Sequence, residues 1–459
     1  MAFTLNGERV DGAGVDPNTT LLHFLRGSGR TGTKEACAEG ECGACAVACV
    51  VADGDARSRY QVVNSCLVLL PEVAGAEVWT VEGLRGLANG ELHPVQRAMV
   101  EHGGSQCGYC TPGFVMTLFA RHYARPRPDA RSAIAGNLCR CTGYRAILAA
   151  AESVSEVAAG DPHAARLERP APPVTAVRFE AGGASYARPA TLAEALAARA
   201  AHPDAALLAG GTDLVVERNQ DGRHRERWLS LGAIPELSGI DEQGAEFVIG
   251  ACTTWEAIEA QLGSRVPLFA QLIPLFASPL IRARATIGGN LCTASPVGDA
   301  APVLLALDAT LDVASVRGRR RVPVSEWFTG HRRSALAADE LLAAVRIPNS
   351  PPGAGRFFKV SKRELDDISS VSGAFAVWFD GGVVARARFA YGGVAATPVR
   401  ATAAEALLVG RRMDAASLRD CRAAAAGAFA PIGDVRASAG YRAAMVAELL
   451  AKLWHEVAP

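Results

Sequence analysis

The chain contains 12 cysteines in 459 residues, and three of them stand close together in the stretch KEACAEGECGAC. With one later cysteine they make a first set of four candidate metal ligands: Cys37, Cys42, Cys45 and Cys66. The C-x4-C-x2-C spacing is typical of plant-type [2Fe–2S] sites, in which a tight loop supplies three thiolates and a later residue the fourth. Gly40 and Gly43 permit the positive φ angles that such a loop needs. Tetrahedral zinc is the alternative, although zinc sites usually show two closely spaced cysteine pairs.

A second set of four cysteines follows in two short motifs, CGYC and CRC: Cys107, Cys110, Cys139 and Cys141. On their own these motifs are ambiguous between zinc and iron–sulfur. Thr111-Pro112 is typical of an N-cap followed by proline, and Thr142 is a candidate cap for another helix. Because helix N-termini favour anions, thiolates near these positions would be stabilised.

Composition narrows the class of protein. The 47 Lys and Arg residues balance the 47 Asp and Glu residues, so no basic surface indicates a nucleic acid or an anionic membrane as partner. We find no apolar run of about 18 residues that predicts a membrane span and no secretory signal at the N-terminus. Cysteines in such a chain are more often metal ligands than disulfides. We therefore expect a cytoplasmic protein.

The element pattern predicts an α+β multidomain chain. Strands and turns, including the hairpin signal Asn6-Gly7, predict a β-grasp ferredoxin-like domain, and helical spacing then predicts a helical bundle. A stretch rich in Pro and Ala predicts a linker. Capping boxes are predicted at Thr191–Glu194 and at Thr402–Glu405. The expected boundaries are 1–84, 85–160, a linker at 161–174, an α+β domain at 175–350 and a C-terminal α/β domain at 351–459.

Two glycine-containing stretches could bind a diphosphate. The first is Gly210-Gly211-Thr212-Asp213 after a predicted strand, and the second is Thr286–Asn290. Glycine removes side-chain obstruction, and consecutive N–H groups can form an anion-binding nest. Two ordinary tight turns are the alternative, because the chain lacks a G-x-G-x-x-G motif.

The motifs QCGYCTPGF and GNLCRCTGY, preceded by the plant-type loop, resemble the two-cluster segment of the xanthine dehydrogenase/molybdenum hydroxylase family. LLAGGTDL and ATIGGNLCTASPVGD resemble the FAD-binding stretches of the same family, whose flavin domain is not a Rossmann fold. The resemblance implies that each cysteine quartet holds one [2Fe–2S] cluster. It also implies an FAD site with these residues: Leu207, Leu208, Ala209, Gly210, Gly211, Thr212, Asp213, Leu214, Phe276, Thr286, Gly289, Asn290, Thr293, Asp299, Leu342 and Lys359.

The resemblance also implies individual roles. Asp299 would accept a hydrogen bond from a ribityl or ribose hydroxyl, and Phe276 would lie beside the isoalloxazine ring. Leu342 and Lys359 have ordinary alternatives, a core residue and a solvated surface charge. Gln106 matches a family position that hydrogen-bonds the pterin of a partner's molybdenum cofactor, whereas the alternative is a polar cap for the preceding helix.

The function implied by the resemblance is that of an electron-transfer subunit with no catalytic residue of its own. Electrons from a molybdenum site in a large partner subunit would pass through two [2Fe–2S] clusters to FAD and then to NAD+, while xanthine or hypoxanthine is hydroxylated towards urate. Because the sequence ends where single-chain relatives continue, we expect a separate large subunit and an α2β2 heterotetramer. The alternatives are the equivalent subunit of an aldehyde or N-heterocycle hydroxylase and a stand-alone NADH:iron–sulfur oxidoreductase.

Two features of the sequence bear on the electron acceptor. His331 occupies a position where NAD-using relatives carry tyrosine, which leaves NAD+ and O2 open as acceptors. The charged loop with Lys362, Arg363, Asp366 and Asp367 matches a family loop that influences access of the acceptor, and a surface run of salt bridges is its alternative. The remaining cysteines are expected to be packing residues: Cys49, Cys252, Cys292 and Cys421.

Overall fold

The structure is a computed structural model that describes residues 1–84 and 91–457. It divides into two compact units. The first contains Met1–Ala195, Asp204–Ile234 and Ser278–Ala285; the second contains Leu196–Pro203, Pro235–Ala277 and Thr286–Pro459. The expected start of the helical domain at residue 85 and the expected end of the last domain at residue 459 lie outside the described residues.

Residues 1–84 form a mixed sheet with one helix packed against it. The elements are β1 (Ala2–Leu5), β2 (Glu8–Asp11), α1 (Leu21–Gly27), β3 (Ala46–Asp53), β4 (Arg57–Asn64) and β5 (Glu77–Trp79), and the strand order is β2-β1-β5-β3-β4. β1 and β5 are parallel, whereas the other pairs are antiparallel. Leu21 and Leu25 of α1 are buried in the same apolar cluster as Leu5 of β1. The β-grasp assignment is therefore supported in its mixed sheet and single helix, and its finer topology stays a prediction.

Local predictions in this segment hold with one exception. Asn6 (φ 54°) and Gly7 (φ 85°) form the expected two-residue hairpin turn, in which both central residues need positive φ. The apolar LVLLP segment after Cys66 predicts a helical stretch. It forms two 3₁₀ turns, at Ser65–Leu67 and Leu70–Val73, rather than an α-helix, before the chain enters β5, the central strand of the sheet.

The helical segment contains five helices among its described residues: α2 (Pro94–Glu101), α3 (Thr111–Tyr123), α4 (Ala130–Ala133), α5 (Arg145–Ser153) and α6 (Pro162–Leu167). The central helix α3 is buried from Gly113 to Tyr123. Phe114 and Phe119 of α3 lie in one apolar cluster with Ala48 and Tyr60 of the sheet. Burial on all sides explains why α3 lacks the polar face of a surface helix.

Two predicted caps in the helical segment are displaced. The residue before α3 is Cys110, and Thr111 is the first helical residue. The next helix, α5, begins at Arg145, directly after Tyr144 (φ 66°), rather than after Thr142, and it ends at Ser153. Thr142 instead hydrogen-bonds within the cysteine loop. Residues 161–174, the expected linker, contain helix α6.

The next segment of the first unit forms a four-stranded sheet. Its elements are β6 (Val177–Ala181), β7 (Ala184–Arg188), α7 (Leu192–Ala201, which belongs to the second unit from Leu196 onward), β8 (Ala206–Leu208), α8 (Leu214–Gln220) and β9 (Arg227–Ser230), in the strand order β6-β7-β9-β8. β7, β9 and β8 are mutually parallel. The predicted capping box is half confirmed: Thr191 Oγ1 accepts the Glu194 N–H at 3.2 Å, but the Glu194 carboxylate accepts from Ala190 instead of Thr191.

The second unit begins with an antiparallel five-stranded sheet in the order β10-β11-β16-β12-β13. The elements of this stretch are β10 (Ile240–Gln243), β11 (Glu246–Gly250), α9 (Trp255–Leu262), α10 (Pro267–Leu272), α11 (Pro279–Arg282, which belongs to the first unit), α12 (Ile287–Thr293), α13 (Ala300–Ala306), β12 (Thr310–Ser315), β13 (Gly318–Pro323), β14 (Phe328–Gly330), β15 (Arg333–Ser334) and β16 (Leu341–Pro348). Every residue of α13 is buried, so this helix is part of the core.

The C-terminal segment is α+β rather than the predicted α/β. Its elements are β17 (Ala354–Val360), β18 (Val371–Asp380), β19 (Val383–Gly392), β20 (Val399–Arg400), α14 (Thr402–Leu408), α15 (Ala415–Ala426) and α16 (Ala439–Val457). All strand pairs are antiparallel and the helices follow the sheet, whereas an α/β fold alternates helices with parallel strands. Across the described ranges, we find no helix with the length and apolar character that a membrane crossing requires.

The capping box predicted at Thr402–Glu405 is wrong. Thr402 is the first residue of α14, and the N-cap position is occupied by Ala401, which has no side-chain group that could cap the helix. The Glu405 carboxylate instead accepts the Phe389 N–H of β19 at 2.8 Å and pairs with Arg400 at 2.6 Å. A buried tertiary role therefore overrides the local capping signal.

Candidate cluster-binding and flavin-binding sites

The first cysteine quartet lies in two thiol pairs. Cys37 is hydrogen-bonded to Cys42, and Cys45 is hydrogen-bonded to Cys66. Cys45 and Cys66 are each only 2% exposed. The hydrogen bond with Cys42 lowers the pKa of the Cys37 thiol to about 5, and the hydrogen bond with Cys66 lowers the pKa of Cys45 against the effect of burial. One member of each pair is thus favoured as a thiolate, the form that binds metal.

The loop that carries this quartet has the conformation expected from its glycines. Gly40 (φ 88°) and Gly43 (φ 65°) lie in the left-handed region, as does Ala38 (φ 55°). The Asn64 side chain donates to the Gly40 carbonyl at 2.8 Å and accepts from the Cys45 thiol at 3.7 Å. A side chain from the strand beside Cys66 therefore fixes the loop from its buried side.

Two residues that the sequence reasoning missed fix the same loop from helix α8. Asn219 Nδ2 donates to the carbonyl oxygens of Ala38 and Cys66, both at 2.8 Å. Gln220 Nε2 donates to the carbonyl of Cys37, also at 2.8 Å. No local pattern marks these residues, because more than 150 positions separate them from the carbonyls they bind. Only the fold of the first unit brings them together.

The second quartet also lies in two thiol pairs, Cys107 with Cys141 and Cys110 with Cys139. Cys107 and Cys141 are exposed, whereas Cys110 and Cys139 are half-buried. Burial raises the pKa of the Cys139 thiol, but hydrogen bonds from Thr142 outweigh this effect and lower it. The Thr142 Oγ1 and N–H lie 3.2 and 3.4 Å from the Cys139 sulfur.

The donor set of each quartet fits a [2Fe–2S] cluster. In such a cluster four thiolates are shared between two irons, so ligands arranged in two close pairs suit it. The electrostatic partners of each thiol are drawn from its own quartet, which keeps the two sets separate. Among residues 1–84 and 91–457, no group of three or more His, Cys, Asp or Glu side chains surrounds a single metal-ion position.

In the first unit, the predicted flavin residues form the turn from β8 into α8. A Cβ at Gly210 would lie 2.0 Å from the carbonyl oxygen of Arg284, whose Nε donates to the Gly210 carbonyl at 3.0 Å. A Cβ at Gly211 (φ 75°) would lie 3.1 Å from the carbonyl oxygen of Leu67. These glycines are therefore required by the close approach of the protein's own backbone and by positive φ. This turn contains Ala209, Gly210, Gly211, Thr212 and Asp213, between Leu207–Leu208 of β8 and Leu214 of α8.

In the second unit, a further group of predicted flavin residues forms the start of α12. Thr286 is the N-cap, and its Oγ1 accepts the Gly289 N–H at 3.0 Å. Asn290 Oδ1 is buried and has no hydrogen-bond partner among the described residues. A buried acceptor of this kind fits a ligand that brings a hydroxyl or an amine to it. Thr293 ends the helix and is half-buried.

The remaining second-unit residues include a buried ion pair. Lys359, 2% exposed, lies 2.9 Å from Asp299, 7% exposed. The Asp299 carboxylate also accepts from Ser369 Oγ at 2.6 Å, and Lys359 Nζ donates to the Leu275 carbonyl at 2.9 Å. Burial raises the pKa of Asp299 against the opposing effect of Lys359. Lys359 is therefore not a solvated surface charge.

Two apolar residues complete the predicted flavin set. Phe276, beside Leu275, is 9% exposed, and its ring packs on Trp255 with centroids 4.8 Å apart. Leu342 is buried in β16. Phe276 is thus held in place by an aromatic neighbour before any ligand binds.

Four family profiles match the chain in succession. Residues 3–70 match "2Fe-2S iron-sulfur cluster binding domain" and residues 80–152 match "[2Fe-2S] binding domain". Residues 178–350 match "FAD binding domain in molybdopterin dehydrogenase" and residues 356–457 match "CO dehydrogenase flavoprotein C-terminal domain". A carbon monoxide dehydrogenase structure from Hydrogenophaga pseudoflava is 31% identical, with a TM-score of 0.56, and the match covers 61% of this chain and 96% of that chain. The chain belongs to the molybdenum hydroxylase family, as its iron–sulfur and FAD-binding part.

Curated relatives extend the comparison. A xanthine dehydrogenase of Emericella nidulans is 32% identical over 100% of this chain and 38% of its own length. Aldehyde oxidase 2 of Cavia porcellus is 31% identical over 92% of this chain and 37% of its own length. The chain therefore spans well under half the length of the curated relatives it matches.

Gln106, His331 and the charged loop at 362–367 are further positions to which the family resemblance assigns a role. Gln106 is exposed in the bend before Cys107, and the C-cap of α2 is His102 rather than Gln106. His331 is exposed between β14 and β15. The charged loop is held by hydrogen bonds within itself. The Asp367 carboxylate accepts hydrogen bonds from the backbone N–H groups of Lys362 and Arg363 at 2.9 and 3.0 Å. The Asp367 carboxylate therefore stabilises the backbone of its own loop.

The cysteines outside the quartets differ from one another. Cys421 is fully buried, and its thiol donates to the Ala404 carbonyl, which agrees with a packing role. Cys49 and Cys252 are half-buried, but Cys292 is exposed. Burial nonetheless raises the pKa of the Cys292 thiol to about 12, so the packing role expected for this residue stays a prediction.

Proposed function

We propose that this chain is the electron-transfer part of a xanthine dehydrogenase. It would receive electrons from a molybdenum site in a large partner subunit and deliver them to NAD+, with the partner carrying out the hydroxylation of xanthine or hypoxanthine. When bound, two [2Fe–2S] clusters and FAD supply the one-electron and two-electron redox chemistry. The observation that carries the proposal is the arrangement of eight cysteines as four thiol pairs in two separate quartets.

The chain's own residues hold and shield these groups. Cys37, Cys42, Cys45 and Cys66 would bind one cluster, and Cys107, Cys110, Cys139 and Cys141 the other. In the N-terminal quartet Cys45 and Cys66 are buried and Cys37 and Cys42 are half-buried, whereas two thiols of the second quartet are exposed. An exposed quartet supports the second site as the point where electrons enter from the partner, since electron transfer requires close approach.

In the second unit, Asp299 and Asn290 would accept hydrogen bonds from hydroxyl or amino groups of FAD. Asn290 Oδ1 is free for this role, and Lys359 and Ser369 fix the Asp299 carboxylate. In the first unit, the turn at Gly210–Asp213 would present N–H groups to an anionic part of the flavin. The role proposed for the residues of each unit rests on the contacts within that unit.

A cofactor count tests the proposal directly. The freshly isolated chain should contain about four irons and about four acid-labile sulfides, the content of two [2Fe–2S] clusters, together with FAD. It should copurify with a molybdopterin-containing subunit, expected in an α2β2 heterotetramer. Zinc instead of iron would contradict the cluster assignment, and a complex without molybdopterin would favour a stand-alone NADH:iron–sulfur oxidoreductase.

Gln106 provides a test of the partner interface. Its exposure beside the exposed Cys107 supports a contact with the partner's pterin. Gln106→Ala should slow reduction of the clusters by substrate and leave the FAD content unchanged. Substrate reduction at the wild-type rate would instead assign Gln106 to the solvated surface.

The alternative substrate class is an aldehyde or another N-heterocycle. The matched aldehyde oxidase and xanthine dehydrogenase are almost equally identical to this chain, 31% and 32%. Reduction of the purified complex by a panel of purines and aldehydes separates the two. The same complex, mixed with NAD+ or with O2 after reduction, decides the acceptor, for which His331→Tyr is the informative variant.

A further inference from the structure

The loops of the two cysteine quartets touch through their backbones. The N–H of Leu138 donates to the carbonyl oxygen of Cys42 at 3.0 Å. Leu138 directly precedes Cys139 in the chain. A single hydrogen bond therefore joins a ligand residue of the first quartet to the neighbour of a ligand residue of the second.

Glycines permit this approach. A Cβ at Gly113, in the first turn of α3, would lie 2.2 Å from the Gly43 carbonyl oxygen. A Cβ at Gly43 would lie 2.3 Å from the Gly136 carbonyl oxygen. Real Cβ atoms do not come this close to backbone, so any larger residue would push the loops apart.

Asn137 holds the two loops at this separation. Its Nδ2 donates to the Gly43 carbonyl at 3.2 Å, and its Oδ1 accepts from Thr117 Oγ1 of α3 at 2.8 Å. Asn137 is 2% exposed and Thr117 is 4% exposed. Because both polar groups of this amide are satisfied and buried, its position is strongly determined.

We propose that Asn137 is a positioning residue for electron transfer between the two quartets. It fixes the Cys37–Cys45 loop against the Asn137–Cys141 loop so that the hydrogen bond between Cys42 and Leu138 forms. The inference rests on the proposed function, in that both quartets must hold clusters. One electron at a time passes from the second quartet's cluster to the first; no bond forms or breaks, and no proton moves.

The physical reason is that tunnelling depends steeply on separation and favours bonded paths over gaps. With Asn137 in place, the path from Cys139 to Cys42 consists of covalent bonds and one hydrogen bond. Without it, the Gly43 carbonyl keeps only its local hydrogen bond from Ala46, and the loops are free to separate.

The test uses Asn137→Ala in the full chain with clusters bound, and Asn18→Ala as a matched control. Asn18 is an equally buried asparagine of the first unit whose side chain binds Arg225 and Trp228, not the quartets. Iron content is measured first. With both clusters reduced, their mutual magnetic splitting is followed by electron paramagnetic resonance, and exchange of the Leu138 amide by mass spectrometry.

We expect Asn137→Ala to retain its iron, to lose the magnetic splitting and to lose protection at Leu138, while Asn18→Ala retains all three. If Asn137→Ala fails to load iron, Thr117→Val, which removes only the hydroxyl bound to Asn137, is measured by the same criteria. Wild-type splitting and protection in the iron-loaded variants would overturn the inference alone. Absence of iron from the wild-type chain would instead contradict the proposed function.

Discussion

The two cysteine quartets share a ligand type and a pairing pattern but differ in their surroundings. In the first, Cys45 and Cys66 are each 2% exposed, and side chains from β4 and α8 bind the carbonyls of the loop. In the second, Cys107 and Cys141 are exposed, and the supporting hydrogen bonds come from Thr142 in the same loop. The first site is thus supported by side chains from distant parts of the first unit, and the second is supported at Cys139 by a residue three positions away.

This difference matters because exposure and hydrogen bonds to sulfur are the means by which a protein adjusts the potential of a cluster. The first quartet is more deeply buried than the second and is fixed by distant residues. The exposed quartet can be approached by a partner. In the proposed electron route, the second quartet is therefore the entrance and the first is the interior relay.

The largest expected effect comes from removing one ligand. Cys45→Ser should abolish the N-terminal cluster and lower iron from about four to about two per chain. The signal of the second cluster should persist in the electron paramagnetic resonance spectrum, because the thiol pairs of the two quartets are separate.

Cys421→Ser is the control for this substitution. Cys421 is buried in the second unit, and serine can keep its hydrogen bond to the Ala404 carbonyl. This variant should keep both clusters. Loss of both signals in Cys45→Ser would show that the quartets are partitioned differently from the pairs described here.

A smaller but distinct effect is expected in acid, because a buried histidine cluster lies in the helical segment with the exposed quartet. Burial, together with the charges of neighbouring histidines, lowers the pKa of His93 to about 3, and burial lowers that of His163 to about 4. His93 Nε2 contacts the Tyr123 hydroxyl at 2.9 Å, and this hydroxyl also binds Asp161. Both histidines are therefore neutral in the folded protein at neutral pH.

The unfolded chain takes up these protons near pH 6.5, whereas the folded chain does so only near pH 4 and below. Stability is thus fully present above pH 6.5 and falls as the pH drops below it, by about 1.4 kcal/mol per pH unit for each histidine. Urea unfolding between pH 7 and pH 5, followed by the signal of the second cluster, measures this slope.

His93→Asn should reduce the slope, since asparagine can retain the N-cap bond to the Val95 N–H but does not titrate in this range. Lys452→Gln, a change at an exposed cation of the second unit, should leave the slope unchanged. An equal slope in His93→Asn and the wild type would exclude His93 as its source.

The contrast between the quartets also explains how far the sequence could predict the sites. Ligand spacing is local, so both sets of four cysteines could be proposed from their motifs. The supports of the second quartet are local as well, yet Thr142 was assigned to a helix cap because the same residue type serves both roles. Asn219 and Gln220 could not be found, since they bind the first loop only after the chain has folded.

The same reason accounts for the errors elsewhere. Glu405 follows Thr402 at capping-box spacing, but its carboxylate binds Arg400 and the Phe389 N–H instead of the helix N-terminus. A Cβ at Gly210 would meet the carbonyl oxygen of Arg284, so packing within the protein also requires this glycine, whatever it contributes to a ligand site. Lysine is usually found at the surface, and only the fold shows that Lys359 is buried against Asp299. Local pattern predicts elements, and tertiary contacts decide the partners of polar side chains.

Asn219→Ala tests the long-range support of the buried quartet. It removes two hydrogen bonds, to the carbonyls of Ala38 and Cys66, and should destabilise the first unit by about 1–3 kcal/mol. Chemical unfolding followed by the signal of the first cluster measures the change. Gln220→Ala, which removes one bond at an exposed position, should cost less. A larger loss at Gln220 would reverse the assigned importance of the two residues.

The smallest expected effect concerns the exposed quartet. Thr142→Val removes the hydroxyl that lies 3.2 Å from the Cys139 sulfur, while the backbone N–H of residue 142 at 3.4 Å remains. Hydrogen bonds to cluster sulfurs stabilise the more negative reduced state. Losing one neutral hydrogen bond should therefore lower the potential of the second cluster by some tens of millivolts.

A redox titration that resolves the two clusters separates local from general effects. Thr142→Ser retains the hydroxyl and should keep the wild-type potential, and the first cluster should be unchanged in both variants because its supports come from β4 and α8. If Thr142→Val shifts the reduction potentials of both clusters, the two potentials are not set independently by the two quartets. A shift confined to the second cluster would confirm that the exposed site is adjusted by its own loop, in contrast to the buried one.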